Sequence, residues 1–158
     1  MVIIMLTGDL LGMSLTTDNV RPSPAPNVWR LGSLTIAGVF MGVSELVLCT
    51  AALAIAKFRL GYGIETLQTL AFLAIVFGNQ ATTYTNRARG RLWSTRPSRL
   101  LVASSVVDVL IASTLAIGGF AMAPVRIPVV GALLLASAVF VFVLDFAKTP
   151  VFHRLGIE

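Results

Sequence analysis

Residues 1–16 read MVIIMLTGDLLGMSLT, an apolar run with a carboxylate, Asp9, near its centre. An ionised Asp is costly at bilayer depth, so such a residue persists where it faces a cavity, a partner or a translocated ion. Gly8 and Gly12 flank it and weaken the helix, as in the broken helices of membrane transporters. A GxxxG packing face is the alternative, but it explains the glycines and not the acid. Asp9 is therefore the first candidate for an ion-transport residue.

The remaining sequence has the composition of an integral membrane protein. Hydrophobic residues make up 56% of the 158, and 12% are charged, against about a quarter charged in soluble domains. The net charge of +5 would suggest nucleic-acid binding in a soluble domain. Here the Lys and Arg residues lie in short gaps between apolar runs, as membrane topology requires. We expect a lipid bilayer around the chain and no nucleic-acid partner.

The apolar runs predict an all-α bundle of about five transmembrane helices in a single domain, because a span needs about 20 residues. The predicted spans are 1–15, 32–56, 66–84, 100–123 and 127–146. No basic residue precedes Arg21, so the first run lacks the charged region of a secretory signal. We expect this run to be a span that begins inside a larger membrane domain.

Basic residues predict the orientation of these spans. Nine of the twelve Lys and Arg residues fall in alternate gaps on one side, which the positive-inside rule makes cytoplasmic. The N-terminus is then outside and the C-terminus cytoplasmic. On the cytoplasmic side we expect a stiff proline-rich loop at 17–31, an arginine-rich loop at 87–99 and a tail at 147–158.

Two further carboxylates lie inside predicted spans and are possible secondary polar sites. Glu45 follows a second GxxxG, Gly38 to Gly42, which we expect to pack against a neighbouring helix. Glu45 is either a structural carboxyl, bonded across a helix interface, or part of an ion path. Asp108 has Ser104 and Ser105 at i−4 and i−3, so these hydroxyls are its predicted partners.

Other reactive side chains indicate structural roles. Asp145 and Lys148, three residues apart at the end of the last span, predict a local ion pair of little energetic weight. Cys49 is expected to be a small buried hydrophobe. His153, the one histidine, has no second ligand nearby. We expect no catalytic, cofactor-binding or metal-ligating residue in this sequence.

Three motifs resemble the C-terminal membrane region, helices six to ten, of P-type cation-transporting ATPases, with the plasma-membrane proton-pumping branch the nearest. Residues 9–26 read DLLGMSLTTDNVRPSPAP, similar to the sixth helix and the loop after it. Residues 89–98, RGRLWSTRPS, look like the loop between the eighth and ninth helices, and residues 145–152, DFAKTPVF, look like the C-terminal end.

The resemblance implies that Asp9 takes the place of the carboxylate that binds and releases the transported cation, a proton or a metal ion. It also implies ATP and Mg as cofactors of the full-length pump, and the missing N-terminal part of the pump as a partner. These residues contain no Asp-Lys-Thr-Gly-Thr phosphorylation motif, so we expect no ATP hydrolysis by this chain alone.

Two other functional classes stay open. The chain could be a free-standing non-enzymatic membrane protein or accessory subunit, which would bind a partner through its small-residue faces and carry no ions. It could also be a small ATP-independent ion transporter that uses Asp9, Glu45 and Asp108.

Overall fold

The computed structural model describes residues 9, 12–14, 16, 31–87 and 97–155, with side chains at most of these positions. Four helices follow one another in the described part of the chain: α1 (Leu31–Phe58), α2 (Ile64–Asn86), α3 (Arg99–Gly118) and α4 (Ile127–Leu155). The described part contains no strand. The predicted all-α class is confirmed.

Helix ends are set by local sequence signals. Gly61 has φ 64° in the turn between α1 and α2, a backbone conformation that suits glycine. Ser98 is the N-cap of α3, and its hydroxyl accepts a hydrogen bond from the Leu101 amide at 3.2 Å. Gly119 closes α3 with φ 66°, which is the left-handed C-cap that glycine favours. The predicted span of 100–123 therefore continues past the end of this helix.

Helix α2 lies at the centre of the bundle and contacts the other three helices. Helix α1 and helix α4 also touch each other, whereas α3 and α4 barely meet. The apolar core surrounds α2, where Leu73 and Ala74 are fully buried. Its members are Ala56, Leu70, Leu73, Ala74, Val76, Phe77, Ala112, Ala116, Val125, Val130 and Leu133.

The outer surface of the bundle is apolar, the reverse of a soluble protein. Large side chains such as Leu46, Leu110 and Phe146 are more than half exposed on α1, α3 and α4. Continuous exposed apolar surface of this kind needs a lipid or protein covering. Three helical stretches are long and apolar enough to cross a bilayer: Thr35–Phe58, Arg99–Gly118 and Ile127–Lys148. The chain is a multi-pass membrane protein, as predicted.

Several predicted features fall outside the described residues. These are most of the first span, nearly all of the proline-rich loop, most of the arginine-rich loop, the His153 side chain and the last three residues. The second GxxxG does lie in the described part. Gly38 and Gly42 are exposed there, and nothing lies within 4 Å of a Cβ built at either glycine. The predicted packing of this motif is wrong for the described bundle, because both glycines are on the outer face of α1.

Candidate functional site: polar groups inside the bundle

The buried face of α2 carries polar side chains that bond to different neighbours. Thr82 donates to the Glu45 carboxylate on α1 at 3.2 Å, and Gln80 donates to Asp108 on α3. Thr69 donates to the backbone carbonyl of Ala123, beyond the end of α3, at 2.9 Å. In lipid each of these groups must find its partner within the protein, so α2 is a polar core helix with an apolar wrapping.

Glu45 is half-buried at the interface of α1 and α2. Besides its bond to Thr82, its side chain lies against the backbone of Gly78, where an added Cβ would come within 3.1 Å of both Cγ and Oε1. The absence of a side chain at residue 78 thus leaves the space that the Glu45 carboxylate occupies. The structural interpretation of Glu45, a carboxyl bonded across a helix interface, is the one that this geometry favours.

Asp108 is buried and accepts a hydrogen bond from Gln80 Nε2 at 2.5 Å. The predicted partners on its own helix are wrong. Ser104 instead donates to the Leu101 carbonyl at 3.0 Å, and the Ser105 hydroxyl has no hydrogen-bond partner among the described residues. The reason is that the side-chain amide of Gln80, on a neighbouring helix, reaches the carboxylate.

A cleft of about 330 Å³ lies beside the Gln80–Asp108 pair, between α3 and α4 with α2 as its floor. Three buried polar atoms belong to residues that line it and have no partner among the described residues: Gln80 Oε1, Ser105 Oγ and Ser137 Oγ. The other lining residues are Phe77, Ala81, Tyr84, Val102, Val106, Val109, Leu110, Leu134, Ala138 and Val141. The cleft is therefore apolar with a few hydrogen-bonding groups, the composition of many small-molecule sites.

Lys148 and Asp145 form an ion pair of 3.2 Å deep in the structure rather than at its border. Lys148 is 1% exposed and also donates to the Thr85 carbonyl on α2 at 2.5 Å. Arg87 is buried nearby, close enough for its charge to repel that of Lys148. The predicted exposed, weak pair is wrong, because α2 covers these residues and the Lys148 ammonium binds its final turn.

Asp9, the predicted transport residue, is exposed and has helical backbone. Farther along this N-terminal segment Ser14 is fully buried, and the Ser104 hydroxyl on α3 donates to its Oγ at 3.1 Å. This contact places the segment against α3. The role of Asp9 stays a prediction.

The structure does not bring the three predicted carboxylates into one site. Gln80 and Thr82 are two residues apart, about 200° around a helix, so their partners Asp108 and Glu45 lie against opposite faces of α2. Among the described residues no three His, Cys, Asp or Glu side chains group as metal ligands would. This part of the chain holds separate polar contacts that link helices.

Sequence reasoning missed two features of these contacts. The third span was known to end in amides and hydroxyls, but nothing in one helix shows which neighbour each of them meets. Ser137 gave no signal, because a single serine in an apolar helix is common and its position at a cleft depends on tertiary packing. A pairing of each polar residue of α2 with a polar residue on another span would have found Gln80.

Comparisons with known proteins place the chain near cation pumps. No family model matches it. It is 27% identical over 158 residues, 99% of its own length, to a protein of Methanocaldococcus jannaschii named "Putative cation-transporting ATPase". The chain spans only 20% of that relative's length. The relative agrees with the resemblance to cation-transporting ATPases that the sequence motifs indicate.

Proposed function

We propose that this chain is the C-terminal membrane portion of an ATP-driven cation pump of the P-type class. The similarity to a cation-transporting ATPase along nearly the whole chain carries the proposal. The apolar outer surface of α1, α3 and α4 supports it, since such a surface fits a membrane domain. ATP hydrolysis, with ATP and Mg as cofactors, would belong to parts of the pump other than these helices.

Asp9 is the residue that we propose to bind the cation. A carboxylate inside a membrane is stabilised when a cation or proton neutralises it, and less so when the site opens to water. A pump needs that alternation, because the ion must bind from one side and leave on the other. The flanking Gly8 and Gly12 would let the backbone carbonyls near Asp9 approach the ion.

The buried contacts around α2 would then form the scaffold that supports the transport helix. Ser104 on α3 meets Ser14 at 3.1 Å, five residues after Asp9, so α3 is the described helix that would position this segment. We also propose a plasma-membrane location with the N-terminus outside and the C-terminus cytoplasmic, which rests on the distribution of basic residues. Whether the cation is a proton or a metal ion decides between the pump branches.

The decisive experiment begins with the reading frame upstream of residue 1. If it encodes a phosphorylation motif, the full-length protein is purified and its cation-stimulated ATPase activity and ATP-driven transport in vesicles are measured. We expect Asp9→Asn to reduce both at least tenfold, because the neutral amide cannot neutralise the ion. Glu65→Gln is the matched control, since Glu65 is an exposed acid in the first turn of α2.

Two results would contradict the proposal. Full transport by the Asp9→Asn variant would remove Asp9 from the mechanism. Cation flux through vesicles that contain the 158-residue chain alone, without ATP, would indicate a small transporter instead. A reading frame without any phosphorylation motif, together with no flux, would indicate a non-enzymatic membrane protein.

A further inference from the structure

The cleft between α3 and α4 presents an unmet chemical requirement. Gln80, Ser105 and Ser137 are each more than nine-tenths buried, yet one oxygen of each has no hydrogen-bond partner among the described residues. Buried polar groups in proteins are nearly always bonded, and an unbonded one is most costly in an apolar environment. The three oxygens come from three different helices and line one cleft, so a single guest can satisfy them together.

The lining of the cleft restricts the chemistry of that guest. None of the residues that line it is charged, so the cleft offers no counter-ion to a phosphate or an ammonium group. Val102, Val106 and Leu134 line it and are at least 40% exposed on the outer surface, so it opens towards the lipid. A guest would enter sideways from the bilayer and would be mostly apolar.

The polar atoms require a hydrogen-bond donor. Gln80 Oε1 can only accept, whereas each serine hydroxyl can donate and accept. A guest hydroxyl could donate to Gln80 Oε1 and accept from one serine at the same time. A plain acyl chain would fill the apolar part and leave all three oxygens unbonded. Water would bond to them and leave the apolar part unfilled.

We propose that this cleft binds an uncharged membrane-dissolved alcohol, with its apolar body between α3 and α4 and its hydroxyl against Gln80, Ser105 and Ser137. The volume of about 330 Å³ is at the lower end of the range for small-molecule sites. The bound alcohol would connect α3 and α4 where they barely touch each other. This inference does not depend on the proposed pump function.

A photoreactive alcohol tests the inference directly. The chain is placed in lipid nanodiscs and labelled with a diazirine derivative of octanol, and with its methyl ether, which has no donor. Labelled residues are located by mass spectrometry over a range of probe concentrations. We expect saturable labelling of cleft residues by the alcohol, which unlabelled octanol displaces. The ether should need about fivefold more probe, the factor that one hydrogen bond of about 1 kcal/mol represents.

Variants separate hydrogen bonding from shape. The double variant Ser105→Ala and Ser137→Ala should weaken labelling by the alcohol and leave labelling by the ether unchanged. Folding should survive, because both hydroxyls lack a protein partner. Ser44→Ala is the matched control, since the Ser44 hydroxyl bonds to Phe40 within α1, at 2.8 Å. It should leave the labelling by both probes unchanged.

Three outcomes would overturn the inference. Equal labelling by alcohol and ether would mean that an apolar chain fills the cleft and the oxygens play no part. Labelling that never saturates would mean ordinary contact with lipid. Absence of label from the cleft would mean that water or another protein segment occupies it. The comparison of the two probes on the unaltered chain decides the question even if the double variant fails to fold.

Discussion

Replacement of Lys148 by Met provides the sharpest test of how the bundle is held together. The Lys148 ammonium is 3.2 Å from Asp145 and donates to the Thr85 carbonyl, so one side chain links α4 to the end of α2. Met has a similar length and no charge. The substitution therefore removes both contacts while it keeps most of the apolar packing.

The expected loss follows from the burial of the pair. At an effective dielectric constant of about 20, charges 3.2 Å apart attract each other by about 5 kcal/mol. Desolvation offsets much of this attraction while both charges are present, but removal of one partner leaves the other charge buried, which costs about 3–5 kcal/mol. The Asp145 carboxylate, 7% exposed, is the group that bears this cost. For a chain of this size the change should lower Tm by roughly 6–20 °C.

Cys49 supplies the assay. It is the single cysteine of the chain and is partly buried against the apolar core. A dye that becomes fluorescent on reaction with a thiol should label it as the bundle opens, so the detergent-solubilised chain can be followed during a thermal ramp. The same ramp can be applied to each variant at equal detergent and lipid.

Two controls make the prediction refutable. Lys57→Met removes an exposed ammonium at the end of α1 and should change Tm little, because exposed charges contribute little to stability. The double variant Asp145→Asn and Lys148→Met should recover much of the Tm lost by Lys148→Met, because no carboxylate is left behind. A Lys148→Met variant as stable as the unaltered chain would refute the buried-pair reasoning. A double variant less stable than the single one would refute it as well.

The interface of α1 and α2 supports two further predictions in the same assay. Gly78→Val should lower Tm by several degrees, because a Cβ there already comes within 3.1 Å of the Glu45 side chain, whereas Gly42→Val has open space around it and should change little; equal effects would show that the two helices do not pack as described. Thr82→Val should cost about 1 kcal/mol in the unaltered chain and almost nothing in a Glu45→Leu background. An undiminished cost in that background would mean that Thr82 acts through another partner.

The fold class could be predicted because lipid-facing helices show their hydrophobicity directly in the sequence. Residues such as Leu46 and Leu110 are exposed and make their runs apolar from end to end. The same property hides helix ends. The run from residue 100 to 123 stays apolar although α3 ends at Gly118. The adjacent Gly118 and Gly119 were the available signal, because glycine is favoured at the C-cap.

The buried contacts could be predicted only in kind. Glu45 was expected to bond across an interface, and Thr82 on α2 provides that bond. The partner of Asp108 was misassigned to its own helix, because local spacing cannot reveal that Gln80 reaches it from α2. Lys148 was misjudged for the same reason, since exposure near a predicted membrane border depends on which helix covers it.

The enclosed position of α2 has a consequence for biogenesis. Its amides and hydroxyls meet their partners on helices that are made both before and after it, and polar residues are unfavourable in a segment that enters lipid alone. The turn to α1, residues 59–63, is short. We therefore expect α1 and α2 to leave the translocon together as a hairpin. In a glycosylation-reporter assay, α2 should integrate poorly by itself and efficiently when it follows α1.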